Sequence, residues 1–147
     1  MARERSKVLL TKLEFDVMRA VWTFGEAGEA TVREVADRLN GERRKPLAYN
    51  TIQTVLNILR DKGVLRARTG SGRAHVYAPR VSRDHVTTSM VGELVERLFD
   101  GQVQPLLLNL VEREELSRSE LERLKRLIDE RLGDRPHDEG GATEASR

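Results

Sequence analysis

The stretch "LAYNTIQTVLNILRDKG", Leu47–Gly63, decides the interpretation of this chain. Its apolar residues recur at i, i+3, i+4 and i+7, which predicts one buried face of an amphipathic helix, at Ile52, Val55, Leu56 and Leu59. The other face carries asparagine, glutamine and threonine, although 34% of the whole chain is charged. Glutamate and lysine would suit a solvated helix better. This exposed, uncharged face therefore indicates a binding surface.

Two helices are predicted before this stretch. "LTKLEFDVMRAVW" opens with Thr11 and Glu14, and "ATVREVADRLN" opens with Thr31 and Glu34. Both pairs have the Thr-x-x-Glu spacing of a capping box, in which each residue bonds the other's backbone N–H. The third helix follows a basic loop that contains Pro46, which disfavours helix at the residue before it.

A β-hairpin and three more helices are predicted after it. Residues 65–69 and 74–78 alternate in polarity around Gly70-Ser71-Gly72, and Pro79 ends the second strand. Apolar stripes then predict helices in "SRDHVTTSMVGELVERLFDG", "QVQPLLLNLVEREE" and "LSRSELERLKRLIDERLG". The predicted fold is mainly α-helical with one small hairpin. The predicted division is a flexible basic arm (1–9), a domain of three helices and a hairpin (10–80), a second helical domain (81–133) and a disordered tail (134–147).

Charge differs between the two halves of the chain. Residues 1–80 hold 16 Lys and Arg against 9 Asp and Glu, whereas residues 81–147 hold 10 against 15. A basic half joined to an acidic half favours a polyanionic partner for the first half, although chance fluctuation would give the same counts.

Composition argues against several other classes of protein. The chain has no cysteine, and its three histidines, His75, His85 and His137, lack carboxylates at metal-ligand spacing. We therefore expect no enzyme activity, no metal and no cofactor. With no apolar run of about 18 residues and no secretory signal, we expect a cytoplasmic protein that does not insert into a membrane.

The polar helix face is suited to DNA. An α-helix fits the major groove, and Asn, Gln and Thr both donate and accept hydrogen bonds at base edges, whereas cationic side chains contact phosphates. Free N–H groups at the start of the second helix also suit a phosphate. The predicted DNA-binding residues are Thr31, Arg43, Arg44, Lys45, Tyr49, Asn50, Thr51, Gln53, Thr54, Asn57, Arg60, Arg68, Arg73 and His75. The alternatives are a polar protein-contact face, arginines that only solubilise, and a Tyr49 that only covers the helix start.

The segments "LTKLEFDVMRAVW", "ATVREVADRLN", "AYNTIQTVLNILRDKGVLRART" and "GRAHVYAPRVSRD" resemble, in order and spacing, the penicillinase-repressor (BlaI/MecI-type) family. The likeness continues through "LLLNLVEREELSRSELERLKRLIDE" and covers roughly residues 10–130. It implies that residues 10–80 form a winged-helix DNA-binding domain, with the hairpin as the wing. Residues 81–133 would then form a C-terminal helical dimerisation domain. It also implies a homodimeric repressor that binds an inverted-repeat operator.

The same resemblance implies how the repressor is released from DNA. In well-known family members, a membrane-bound sensor metalloprotease responds to β-lactams and the repressor is cut at an Asn-Phe bond in the dimer region. The matching pair here is Asn109-Leu110, where leucine stands in place of phenylalanine. The cysteine-rich motif of copper-responsive relatives is absent from this chain.

Three short helices with this many apolar side chains rarely bury them alone, which favours a second copy as the partner. The predicted dimerisation residues are Leu94, Leu98, Phe99, Leu106, Leu107, Leu110, Val111, Leu121, Leu124 and Ile128. Packing of these residues on the winged helix is the alternative. Two further functions stay open: a repressor released by a small ligand held between the domains, and a winged helix used only for protein contacts.

Overall fold

The computed structural model describes residues 7–70, 72, 74–113 and 115–134. Its elements in chain order are α1 (Lys12–Trp22), β1 (Ala30–Thr31), α2 (Val32–Asn40), α3 (Tyr49–Asp61), β2 (Leu65–Thr69), β3 (His75–Pro79), α4 (Arg83–Phe99), α5 (Val103–Glu112) and α6 (Arg118–Asp134). The predicted fold, three helices, a hairpin and three more helices, is confirmed. The predicted tail beyond Asp134 and the first six residues lie outside the described part of the chain.

The hairpin belongs to a three-stranded antiparallel sheet in the order β1-β3-β2. Ala67 of β2 and Ala30 of β1 both pair with Tyr77, so β3 is the central strand. The sequence did not predict β1, because it has only two residues and exists through its pairing with β3. The sheet ties the segment before α2 to the hairpin.

Local capping fixes where the helices begin. The two predicted capping boxes are present: the Thr11 and Thr31 hydroxyls each accept from the backbone N–H three residues on, and the Glu14 and Glu34 carboxylates accept in return. Ser117 and Glu120 make the same reciprocal pair before α6. These satisfy backbone donors that a helix start leaves unpaired.

The core lies where α1, α2 and α3 pack together under the sheet. Its fully buried side chains are Val17, Met18, Val21, Val35, Ile52, Leu56, Leu59, Val64, Leu65, Tyr77 and Val86. The stripe predicted for α3 is therefore the buried face, which leaves the polar face outward. The first turn of α4 shares this core through Val86, and the Trp22 indole N–H donates to the Val81 carbonyl at 3.2 Å.

Two side-chain clamps position α3. Before it, the Asn40 carboxamide spans the loop between α2 and α3: its Nδ2 donates to the Leu47 carbonyl at 3.0 Å, and its Oδ1 accepts the Leu47 N–H at 2.8 Å. After it, the Lys62 ammonium donates to Oε1 of the buried Glu14 at 2.7 Å. These contacts hold one end of α3 to α2 and the other to α1.

The described residues divide into two compact units between Gly101 and Gln102, so α4 belongs to the first unit. In the second unit, α5 has no buried residue. Leu107 of α5 is 55% exposed, and Ile128 and Leu132 of α6 are 58% and 69% exposed. The assignment of residues 10–80 to DNA binding and 81–133 to dimerisation stays a prediction.

Candidate nucleic-acid interface

The outward face of α3 has the predicted polar character. Asn50, Thr51 and Thr54 are exposed, Gln53 is half-buried, and Tyr49 at the helix start is 51% exposed. The Thr54 hydroxyl donates to the Asn50 carbonyl at 2.9 Å, which leaves its oxygen lone pairs facing outward as acceptors. Because no acidic residue lies in α3 before Asp61, this face does not repel phosphate.

Asn57 has a role that the sequence did not show. Its side chain is half-buried, and its Oδ1 accepts a 2.8 Å hydrogen bond from the hydroxyl of the buried Tyr77. Asn57 therefore joins α3 to the central strand of the sheet, and a contact with DNA would use its amide nitrogen or the second lone pair of its oxygen. Burial raises the pKa of Tyr77, which keeps the donating hydroxyl neutral.

The basic residues that flank α3 differ in how free their charges are. The Arg43 guanidinium lies 3.7 Å from Asp16 Oδ2, and its Nε also donates to the Lys45 carbonyl. Arg60 pairs with the neighbouring Asp61 at 3.4 Å. Arg44 and Lys45 are exposed and make no ion pair within the described residues. These two are the cations of the loop that are directly available to a phosphate.

On the hairpin, Arg68 is engaged in a bidentate ion pair with Glu29, the residue before β1. Its Nε lies 2.9 Å from Glu29 Oε1, and its Nη2 pairs with Oε2. The Arg68 hydrogen bond lowers the pKa of Glu29, which favours the charged carboxylate of this pair. Arg68 thus anchors the hairpin to the edge of β1. The predicted contact residue Arg73 lies outside the described residues.

A notch of about 360 Å³ separates the start of α2, the start of α3 and the hairpin. Thr31, Arg33, Tyr49, Gln53 and His75 are among its lining residues. Four of these were predicted from the sequence, and the notch brings them together. Arg33 was missed; its signal was its place in the first turn of α2, beside the predicted phosphate-binding end. The Glu34 carboxylate also accepts the Thr31 N–H there, so a phosphate would share this end with a negative charge.

Within the described ranges, no cluster of three or more His, Cys, Asp or Glu side chains is placed to hold a metal ion. No helix in that part of the chain has the length and apolarity needed to cross a membrane.

A three-helix unit with a three-stranded sheet and a basic hairpin, presenting the polar face of its third helix, defines a winged helix-turn-helix protein. The chain belongs to the penicillinase repressor family, whose sequence pattern matches residues 10–130. It is accordingly a DNA-binding transcriptional repressor and not an enzyme.

The relatives extend over most of the chain. The penicillinase repressor of Staphylococcus aureus is 23% identical over 124 residues, which cover 84% of this chain and 94% of that protein. The penicillinase repressor of Bacillus licheniformis is 26% identical over 121 residues, or 82% of this chain and 90% of that protein. The solution structure of the DNA-binding domain of the repressor BlaI matches with a TM-score of 0.44 and 26% identity, over 54% of this chain and 90% of that chain.

Proposed function

We propose that this repressor is a homodimer that reads an inverted-repeat operator with two copies of α3. The observation that carries this proposal is the exposed row Asn50, Thr51 and Thr54, with Gln53 beside it, on a helix whose opposite face is wholly in the core. Such side chains recognise bases through paired donors and acceptors in the major groove. A solvated helix face would not favour them.

The cations around α3 supply the contacts that do not depend on sequence. Arg44 and Lys45 approach the phosphates on one side of the groove, and His75 with Arg33 approaches on the other. Each neutralised phosphate releases counterions and makes the affinity fall with salt, with a slope of about −0.9 per contact on a logarithmic scale. Arg68 acts first as the anchor of the wing, because Glu29 already occupies two of its donor nitrogens.

The second copy is proposed because most apolar side chains of α5 and α6 are only partly covered within the described residues. Leu107, Leu108 and Leu110 of α5 are all at least 37% exposed, as are Leu121, Leu124 and Ile128 of α6. Isolated helices of about 12–15 residues or fewer are marginal in water, and exposed apolar patches mark interfaces. A twofold symmetric partner would cover both helices and set two α3 helices about one or two DNA turns apart.

Linking two half-site contacts raises the apparent affinity by about 10²–10⁴. Release therefore requires only that the two copies separate. By family likeness, the bond between Asn109 and Leu110 is the proposed cleavage point, and a membrane-bound sensor protease is the proposed partner. Both residues are exposed, and a cut there would sever α6 from the DNA-binding unit. Leucine at the second position fits a protease pocket of different shape from one that takes phenylalanine.

The test combines a footprint of the bound protein on genomic DNA with sedimentation of the free protein. We expect protected inverted repeats and a dimer at the concentrations used for binding. A monomer that protects single half-sites would refute the dimer, and protection with no sequence preference would refute base reading by α3. Weak, salt-insensitive DNA binding that Gln53→Ala leaves unchanged would favour the alternative of a protein-interaction module.

A further inference from the structure

A cavity of about 840 Å³ lies on the first unit, away from the polar face of α3. It is bounded by the segment before α1, the turn after α3, the end of β3 and the first turn of α4. Four apolar side chains form part of its wall: Val8, Leu9, Val64 and Val81. Its volume lies within the range of small-molecule sites, and its wall combines these apolar side chains with charged ones.

The charged groups of the wall are all basic. These are Lys7, Lys62 and Arg80, and no aspartate or glutamate is among the lining residues. Lys7 lies 3.9 Å from Glu93, and Lys62 donates to Glu14. Arg80 makes no ion pair within the described residues, while its backbone N–H is fixed to the Val64 carbonyl at 2.8 Å. The wall therefore carries cationic charge, of which Arg80 has no acidic partner within the described residues.

We propose that this cavity binds an amphipathic organic anion, a carboxylate on a small apolar body, and that its occupancy weakens DNA binding. The apolar body would lie against the valines and Leu9. The carboxylate would meet Arg80 and Lys62, which matters because a desolvated carboxylate needs a charged partner. The second half of the proposal rests on the proposed reading of DNA by α3.

The coupling runs through Lys62. Its ammonium donates both to Glu14 Oε1 at 2.7 Å and to the Leu9 carbonyl at 3.5 Å, so it holds the end of α3 to the start of α1. A ligand carboxylate beside Lys62 competes with Glu14 for the same ammonium. The loss of that clamp lets the end of α3 move, and the ordered α3 that fits the groove becomes less populated.

The experiment uses the full chain and phenylacetate as the probe, with phenylacetamide as its neutral match and inorganic phosphate as a purely anionic one. Backbone NMR shifts and calorimetry report binding without DNA. We expect phenylacetate to bind, with shifts concentrated at residues 62–64 and 80–85, and both comparison compounds to bind much more weakly. Arg80→Gln should abolish the response. The matched Arg83→Gln, an exposed position on α4 outside the cavity wall, should keep it.

DNA affinity is then measured at constant ionic strength on a footprinted site. Saturating phenylacetate should weaken wild-type binding about fivefold or more, and by linkage DNA should weaken phenylacetate by the same factor. Arg80→Gln should bind DNA normally and show no such effect. Equal binding of phenylacetate and phenylacetamide, or unchanged binding by Arg80→Gln, would overturn the site. An Arg80→Gln protein with poor DNA affinity and a reduced salt slope would show instead that the cavity meets the DNA backbone.

The two proposals fail separately. If the wild type shows no sequence-specific DNA binding, base recognition by α3 is refuted. The titration of phenylacetate without DNA would still test whether the cavity binds an anion. If phenylacetate binds but leaves the DNA affinity unchanged, only the coupling through Lys62 is refuted, and the anion site stands.

Discussion

Tyr77→Phe tests whether the hydrogen bond from β3 to α3 stabilises the winged helix. The Tyr77 ring is 1% exposed, so phenylalanine would keep its packing and remove only the hydroxyl that donates to Asn57 at 2.8 Å. A net hydrogen bond contributes about 0.5–1.5 kcal/mol, and the half-buried Asn57 oxygen then loses its partner, so we expect a cost of about 1–2 kcal/mol. For a unit of this size that is a fall in Tm of roughly 4–8 °C per kcal/mol. Urea and thermal unfolding of the full chain give both numbers.

The matched control is Tyr49→Phe, which removes a hydroxyl from a half-exposed ring and should leave the free energy of unfolding unchanged. The pH dependence adds a second check. Because the pKa of Tyr77 is raised in the folded protein, its contribution is complete at neutral pH and is lost as the pH rises above the ordinary tyrosine range. Tyr77→Phe should lose part of that alkaline sensitivity. Equal stability of the wild type and Tyr77→Phe would refute the clamp.

Three other substitutions separate the remaining roles. Gln53→Ala should cost about 1–3 kcal/mol on a specific site and relax its sequence preference, measured by competition binding. Lys45→Gln should weaken binding to every sequence and reduce the salt slope by about 1. Glu14→Gln should remove an acid-sensitive part of the free energy of unfolding. Burial raises the pKa of Glu14, but the hydrogen bonds from Lys62 and Thr11 outweigh burial, so the pKa is lowered overall. The stability of the wild type therefore falls as the pH drops through that lowered pKa.

Each of these has a contrary outcome. If Gln53→Ala and Lys45→Gln change specific and non-specific binding alike, the division between base and phosphate contacts is wrong. If Glu14→Gln keeps the full wild-type loss of stability in acid, measured by urea unfolding across a pH series, the pair with Lys62 is not its source.

The sequence predicted the parts of the fold that depend on near neighbours. The Thr11 and Thr31 caps need only a partner three residues away, and the α3 stripe needs only the helical period. The side-chain pairs across the fold were not predictable in this way. Glu29 with Arg68 lies 39 residues apart, and Asn57 with Tyr77 lies 20 apart, so only the assembled sheet brings them together.

The candidate DNA-binding surface was likewise predictable only where it depends on residues close in sequence. Periodicity identified which face of α3 points outward, and charge identified the loop and hairpin that flank it. Whether a given arginine is free depends on acids elsewhere in the fold, such as Asp16 beside Arg43. Arg43 and Arg68 are ion-paired, whereas Arg44 and Lys45 are not within the described residues, so we propose Arg44 and Lys45 as the more direct phosphate contacts.

The Asn40 clamp has a consequence for how such a regulator could acquire new targets. Because the Asn40 carboxamide makes two hydrogen bonds to the Leu47 backbone, the two ends of the six-residue loop between them are held together where α3 begins. We expect that lengthening this loop, or changing its charge, would alter the contacts with DNA phosphates without changing the orientation of α3. We therefore expect variants of this loop to change the affinity for DNA without changing the sequence preference.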